Sequence, residues 1–125
     1  MISAIFITTC LNVMFLIMHE FDAFHKHEWK MFKFLNKLND STQYLLFLYS
    51  HLILLGFCFY YIYAVYNRIY FPLWIVMNYF AVLHLLIHLI ALKWKLNVFK
   101  NIHSFVFIFG FAIIGMINLF FLFDY

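Results

Sequence analysis

The sequence predicts an all-α protein, a four-helix transmembrane bundle with both termini on the non-cytoplasmic side. Three observations carry that prediction. The chain has 125 residues, is 68% hydrophobic and only 10% charged, whereas an ordinary soluble domain is about 25% charged. A soluble fold of this size has too much surface to hide so much apolar side chain. Uncharged stretches cover residues 1–18, 41–67, 69–92 and 101–123, and a membrane-spanning helix needs roughly 20 apolar residues. The stretches are continuous, whereas a β-barrel would show strands of about 10 residues alternating apolar and polar. One integral membrane domain over residues 1–125 is expected, with helices at about 2–25, 42–66, 70–92 and 101–123.

The first helix reaches spanning length only if it runs past His19 and Glu20. The polar stretch "IMHEFDAFHKHEWKMF" (17–32) then lies at its end. A cleavable signal peptide would need a positive n-region and a small-residue cleavage site. The first Lys or Arg is Lys26, so a retained helix is expected. Residues 24–41 form the longest polar segment. Within it "NKLNDSTQ" supplies a stop and then a start, with Asp40, Ser41 or Thr42 as the N-cap of the second helix. "YNRIYFP" is a tight hairpin whose only charge is Arg68, and Pro72 suits the first turn of the third helix. "LKWKLNVFKN" (92–101) separates helices three and four. No internal repeat and no second domain is visible.

The lysines set the topology. Lys26, Lys30, Lys33 and Lys37 follow helix one, and Lys93, Lys95 and Lys100 follow helix three, while the opposite side has Arg68 alone. That bias makes the lysine side cytoplasmic. Trp29, Trp94 and several tyrosines fit an interfacial belt. Cys10 and Cys58 read as small apolar residues inside helices. The net charge of +3 reflects loop lysines, so no nucleic-acid partner is expected. The partners expected are the lipid bilayer of the inner membrane and other membrane-complex subunits.

All seven histidines, at 19, 25, 27, 51, 84, 88 and 103, map to the cytoplasmic half or its loops. His51 lies roughly 13 Å into helix two, while His84 and His88 lie about 12 Å and about 6 Å from the end of helix three. His19 sits one to two turns inside helix one. Three helices thus bring histidine to a common level. "HLLIH" places His84 and His88 at i and i+4 on one face, about 5 to 6 Å apart at Cβ. In helix one, His19 and Asp22 share a face at i and i+3, and Glu20 and His27 a neighbouring face at i and i+7. Ionisable groups inside a membrane are costly and usually face the bundle interior. Imidazole with carboxylate suits a transition metal, zinc or iron above all. The predicted ligands are His19, His51, His84, His88 and His27. Glu20, Asp22 and Glu28 line the mouth as base, extra ligand or partner to a ligating histidine. Asp22 is expected to be buried and paired with a histidine or lysine.

Each residue also has a plainer reading. His25 can be a solvated loop residue, His103 an interfacial residue or cap, and Glu28 a surface partner of Lys30 or Lys33. His51 alone can be a hydrogen-bonded helix contact. The nineteen Phe and nine Tyr read as lipid-facing residues. Ser50 is expected on a different helix face from His51, so no Ser-His-Asp arrangement is read. The three glycines stand too far apart for a nucleotide loop. Few polar residues lie outside the histidine level in helices two to four, which disfavours a transporter.

"HEFDAFHKHEW" resembles the H-E-x-D-A…H-E-W signature of a family of small bacterial membrane proteins of unknown function. His51, the His84–His88 pair, Phe99 and Ser104 fit its later features. The resemblance implies a four-helix membrane protein with that histidine set at its centre, and no activity. Similarity of H-x-x-x-H to seven-helix membrane zinc hydrolases is analogy alone. Three functions remain: a metal-dependent membrane enzyme, a non-catalytic subunit or assembly factor, and a b-type haem electron carrier using a pair such as His51 and His84.

Overall fold

The structure is a computed structural model that describes residues 4–69, 71–93 and 98–123. It contains four α-helices: α1 Ala4–His25, α2 Asp40–Tyr66, α3 Phe71–Ala91 and α4 Ile102–Phe123. Two short 3-10 turns, Glu28–Met31 and Leu35–Lys37, fill the connection between α1 and α2. No strand occurs among the described residues. All four helices are long and apolar enough to cross a membrane. Trp94 and Lys95 lie outside the described residues.

Local chemistry sets the helix ends. The N-cap of α2 is Asn39, not Asp40, Ser41 or Thr42 as expected. Asn39 is extended, so its side-chain oxygen accepts the Thr42 N–H at 2.8 Å. Asp40 instead enters the first turn, where a negative charge complements the helix dipole. Helix α4 starts in the same way, with Asn101 Oδ1 accepting the Ser104 N–H at 2.9 Å. At the far end of α2, Arg68 turns left-handed at φ 56°. The Ile69 N–H then reaches back to the Ala64 carbonyl at 2.9 Å and closes the helix.

Side-chain pairs fix the packing order. Glu20 meets His51 and Asp22 meets Ser104, so the end of α1 lies beside the starts of α2 and α4. Thr8 meets Asn118, so the start of α1 lies beside the end of α4. The helices therefore alternate in direction, and both lysine-bearing connections share one end. Helix α4 packs closely along α1 and α3, whereas α2 touches α3 only sparsely. Gly115 permits that close approach. A Cβ there would lie 2.7 Å from Ala81 Cβ and 3.2 Å from the Asn78 carbonyl oxygen.

The core has two apolar clusters. Val13, Leu16, Tyr61, Met77, Ala81 and Phe111 form one, and Ala23, Trp29, Phe47, Ala91, Phe99 and Ile108 form the other at the lysine end. Between the helices away from the lysine end runs an amide–hydroxyl network. Asn118 donates to Asn78 Oδ1 at 3.0 Å, Asn78 donates to the Tyr61 hydroxyl at 2.9 Å, and Thr8 donates to Asn118 Oδ1 at 2.5 Å. Asn12 donates to the Phe111 carbonyl at 2.7 Å. Asparagine and hydroxyl side chains bond helices together in this way where no water competes.

Candidate metal centre

Helices α1 and α3 run in the same direction, so their lysine-side ends lie level. His19 projects from α1 toward the His84–His88 pair of α3. Ligand nitrogens of all three lie within 4.8 Å of one another. His84 Nε2 and His88 Nε2 are 3.1 Å apart. The His19 ring stands 4.8 Å from each of the other two, edge to face. His19 is fully buried, and neither of its ring nitrogens has a hydrogen-bond partner. Two buried polar atoms without partners are costly, and a lone pair left this way suits a metal.

Geometry supports that reading. Around a tetrahedral zinc with bonds of about 2.0 to 2.1 Å, neighbouring ligand atoms stand about 3.3 to 3.4 Å apart. The His84–His88 edge already lies close to this span. His19 stands at most 4.8 Å from its neighbours, so a shift of up to about 1.5 Å completes a three-nitrogen face. The rings are in mutual contact, so no planar macrocycle fits between any two of the three.

An aromatic wall encloses the cluster. Phe99 lies 5.2 Å from His19 and 4.8 Å from His88, and Phe111 lies 5.9 Å from His84. Behind Phe99 is a polar latch. Asp22 accepts from Lys26 at 2.9 Å and from the Ser104 hydroxyl at 2.5 Å, and the Lys26 amine also bonds Ser104. The Lys26 amine lies over the Phe99 ring at 5.5 Å. Asp22 is thus paired with a lysine, on the α4 side of the cluster. Its partner serine lies one turn inside α4, a position to which spacing within α1 could not point.

On the opposite side, His51 and Glu20 form a pair at 2.6 Å between His51 Nε2 and a Glu20 carboxylate oxygen. His51 Nδ1 is 2.6 Å from the Phe47 carbonyl. A carbonyl only accepts, so Nδ1 carries a proton. Ser50 Oγ is 3.1 Å from the same Nδ1 and donates to the same carbonyl at 2.7 Å. The two neighbouring side chains meet because both fold back onto the same carbonyl one turn earlier. Yet a protonated Nδ1 cannot take the serine proton, so Ser50, His51 and Glu20 do not form a nucleophilic triad. His51 stands outside the three-nitrogen group, but it lines the same cavity as His19 and His84.

That cavity has a volume of about 370 Å³ and is also lined by Glu20 and Glu28. Glu28 is buried in the first 3-10 turn. Burial pushes its carboxyl up to about 8, aided by the nearby Glu20 and Asp22 charges and opposed by His51. His27 does not continue the α1 face that carries Glu20. Helix α1 ends at His25, and His27 turns left-handed at φ 57°. Its exposed ring packs on Trp29 at 4.9 Å. His25 and His103 are exposed.

The amide network goes unread in the sequence, and Ser104 is marked there only through the family resemblance, without its bond to Asp22. A signal existed for the network. Asn12, Asn78 and Asn118 each interrupt an apolar run and sit at comparable distances from the ends of their helices.

Fold and site together define a bundle of four membrane-compatible helices with a buried imidazole cluster able to hold a metal ion. The chain belongs to a family of unknown function, DUF6713, whose family model matches residues 5–125. This agrees with the sequence resemblance to the extent that both point to a family without an assigned activity. No curated protein and no solved structure matches the chain.

Proposed function

We propose that this is an inner-membrane, metal-dependent enzyme whose His19, His84 and His88 hold one transition-metal ion, zinc or iron. The observation that carries the reading is the convergence of three buried imidazoles on one point, with both His19 nitrogens lacking any other partner. Three nitrogen ligands are the complement of a catalytic site, which leaves a further coordination position open. A bound ion would supply Lewis acidity at that point. Around it the chain supplies a proton-sharing pair, Glu20 with His51, and a second carboxyl, Glu28, all lining one cavity. His51 Nδ1 is tied to Phe47, so Nε2 is the atom at which His51 exchanges a proton with Glu20. Phe99 and Phe111 keep water from the back of the cluster.

The lysine-rich connections face the cytoplasm in this reading, so both termini face out. The site then opens at the cytoplasmic side. Reporter fusions at Tyr125 and near Asn36 check the topology, and a cytoplasmic signal at Tyr125 reverses it. Elemental analysis of detergent-purified protein tests the centre. About one zinc or iron per chain is expected, falling to background in a His84→Ala, His88→Ala double variant that remains folded. A folded wild-type chain that takes up neither metal sinks the enzyme reading and leaves a membrane-complex subunit.

A further inference from the structure

The cavity between α1, α2 and α3 has a polar floor and an apolar rim. Its floor residues are buried: His19 is 1% exposed, Glu20 7% and Glu28 8%. Its rim residues Leu46 and Phe34 are 49% and 73% exposed. Leu46 lies on α2, nearly two turns inside a helix long and apolar enough to cross the bilayer. Lipid therefore surrounds the mouth on that side, and α2 packs only sparsely on α3. A molecule enters most easily from the bilayer, apolar end in contact with Leu46, Leu54 and Phe80.

The floor decides the head group. Two carboxyl groups and three imidazoles line it, with no Lys or Arg. The nearby Lys26 is held by Asp22 and Ser104 on the α4 side. In the metal-free chain a phosphate or carboxylate head would lie beside Glu20 with no Lys or Arg on the floor to offset its charge. An ammonium head would compete with the His51 Nε2 that already stands 2.6 Å from a Glu20 carboxylate oxygen. A hydroxyl fits both partners, since it donates to a carboxylate oxygen and accepts from an imidazole N–H. The volume of about 370 Å³ is near the lower end of small-ligand sites, roughly 300 to 1,000 Å³, which suits one chain and not two.

We infer that this cavity takes the head of an uncharged, hydroxyl-bearing, single-chain amphiphile drawn laterally from the bilayer. The inference deepens the enzyme reading by naming what the site would take, but the binding itself requires no ion.

The test uses the full chain in lipid nanodiscs and a long-chain alcohol that carries a diazirine. Labelling is located by peptide mass spectrometry, with unlabelled alcohol, fatty acid and alkane of equal length as competitors. Label is expected within residues 46–54 or 80–84, with the alcohol competing at least about tenfold better than the other two. Leu54→Trp fills the cavity and should cut labelling about tenfold. Ser50→Trp, at the exposed mouth, provides the same block should the first variant not fold. Glu20→Gln with Glu28→Gln should narrow the disadvantage of the fatty acid. Equal competition by the alkane, preference for the fatty acid, or labelling untouched by both tryptophan variants overturns the inference. Metal content measured on the same sample separates the two readings. Label without metal overturns the enzyme reading alone, and metal without label overturns this one alone.

Discussion

His19→Phe should change the sign of its effect on stability with the availability of metal. Phenylalanine keeps a planar ring among Phe99, His84 and His88 but removes two nitrogens that have no hydrogen-bond partner. Each such buried atom costs about 1 to 3 kcal/mol. In chelator, then, the variant should be at least as stable as the wild type, or more stable by a few kcal/mol less some strain from the larger ring. With zinc the wild type gains and the variant does not, because a two-histidine remnant is a poor site. At free zinc about a thousand times Kd, the gain is about 4.1 kcal/mol. The quantity to read is the change in the wild-type–variant gap between zinc and chelator. Packing changes cancel from that difference. Melting midpoints in one detergent at one scan rate suffice, since unfolding in detergent is commonly irreversible. A gap that is the same with and without zinc, or a variant less stable by the same amount in both, refutes the metal argument and makes His19 a packing residue.

The remaining predictions concern the surroundings of the cluster. Glu28 is neutral when buried, with its folded value raised to about 8 from an ordinary 4.5. A raised acid makes the folded state bind more protons than the unfolded one between those values, so wild-type stability should fall as pH rises from about 4.5 to 8. Glu28→Gln should remove that slope and become the more stable of the two toward pH 8, as melting curves across this range would show; parallel curves contradict it. Lys26→Met leaves the part-buried Asp22 charge with only Ser104 and should cost about 1 to 3 kcal/mol, while adding Asp22→Asn should recover most of the loss in the same denaturation assay. Gly115→Ala should destabilise by about 1 to 3 kcal/mol, because its Cβ meets Ala81 and the Asn78 backbone, whereas Gly56→Ala, with nothing within 4 Å, should be neutral or mildly stabilising. Equal effects at the two glycines would remove the case for close packing of α3 and α4.

Some of the site was legible because its signals are local. The i, i+4 spacing of His84 and His88 alone dictates that the rings share a helix face, and the structure brings their Nε2 atoms to 3.1 Å. The length of the first apolar stretch requires α1 to continue past Glu20, and it ends at His25. What depends on the rotation of one helix against another was not legible. Depth alone put His51 level with the other histidines, but its face of α2 turns toward Glu20. Spacing alone put His27 on a face with Glu20, but the left-handed turn beyond α1 carries it away. Hydrophobic periodicity gives little help, since these helices are apolar nearly all round and lipid accepts any face.

The amide network replaces that missing signal in the folded chain. Apolar helices in lipid gain little from one rotation over another, so small residues and buried polar pairs must set the register. Helix α4 is the element that reads it. Gly115 lets α4 close on α3 at Ala81, and Asn118 ties it to Asn78 of α3 and Thr8 of α1. The Phe111 carbonyl takes the Asn12 amide, while the ring of the same residue rests on His84. Nearer the lysine end, Ser104 of α4 bonds Asp22 of α1. Both helices that supply the imidazoles are thus referenced to a third helix that supplies none. A rotation of α1 large enough to take His19 out of the cluster would break the Asn12, Thr8 and Asp22 contacts together. The polar residues far from the histidines therefore serve the centre by holding α1 and α3 in the one mutual setting at which three imidazoles meet.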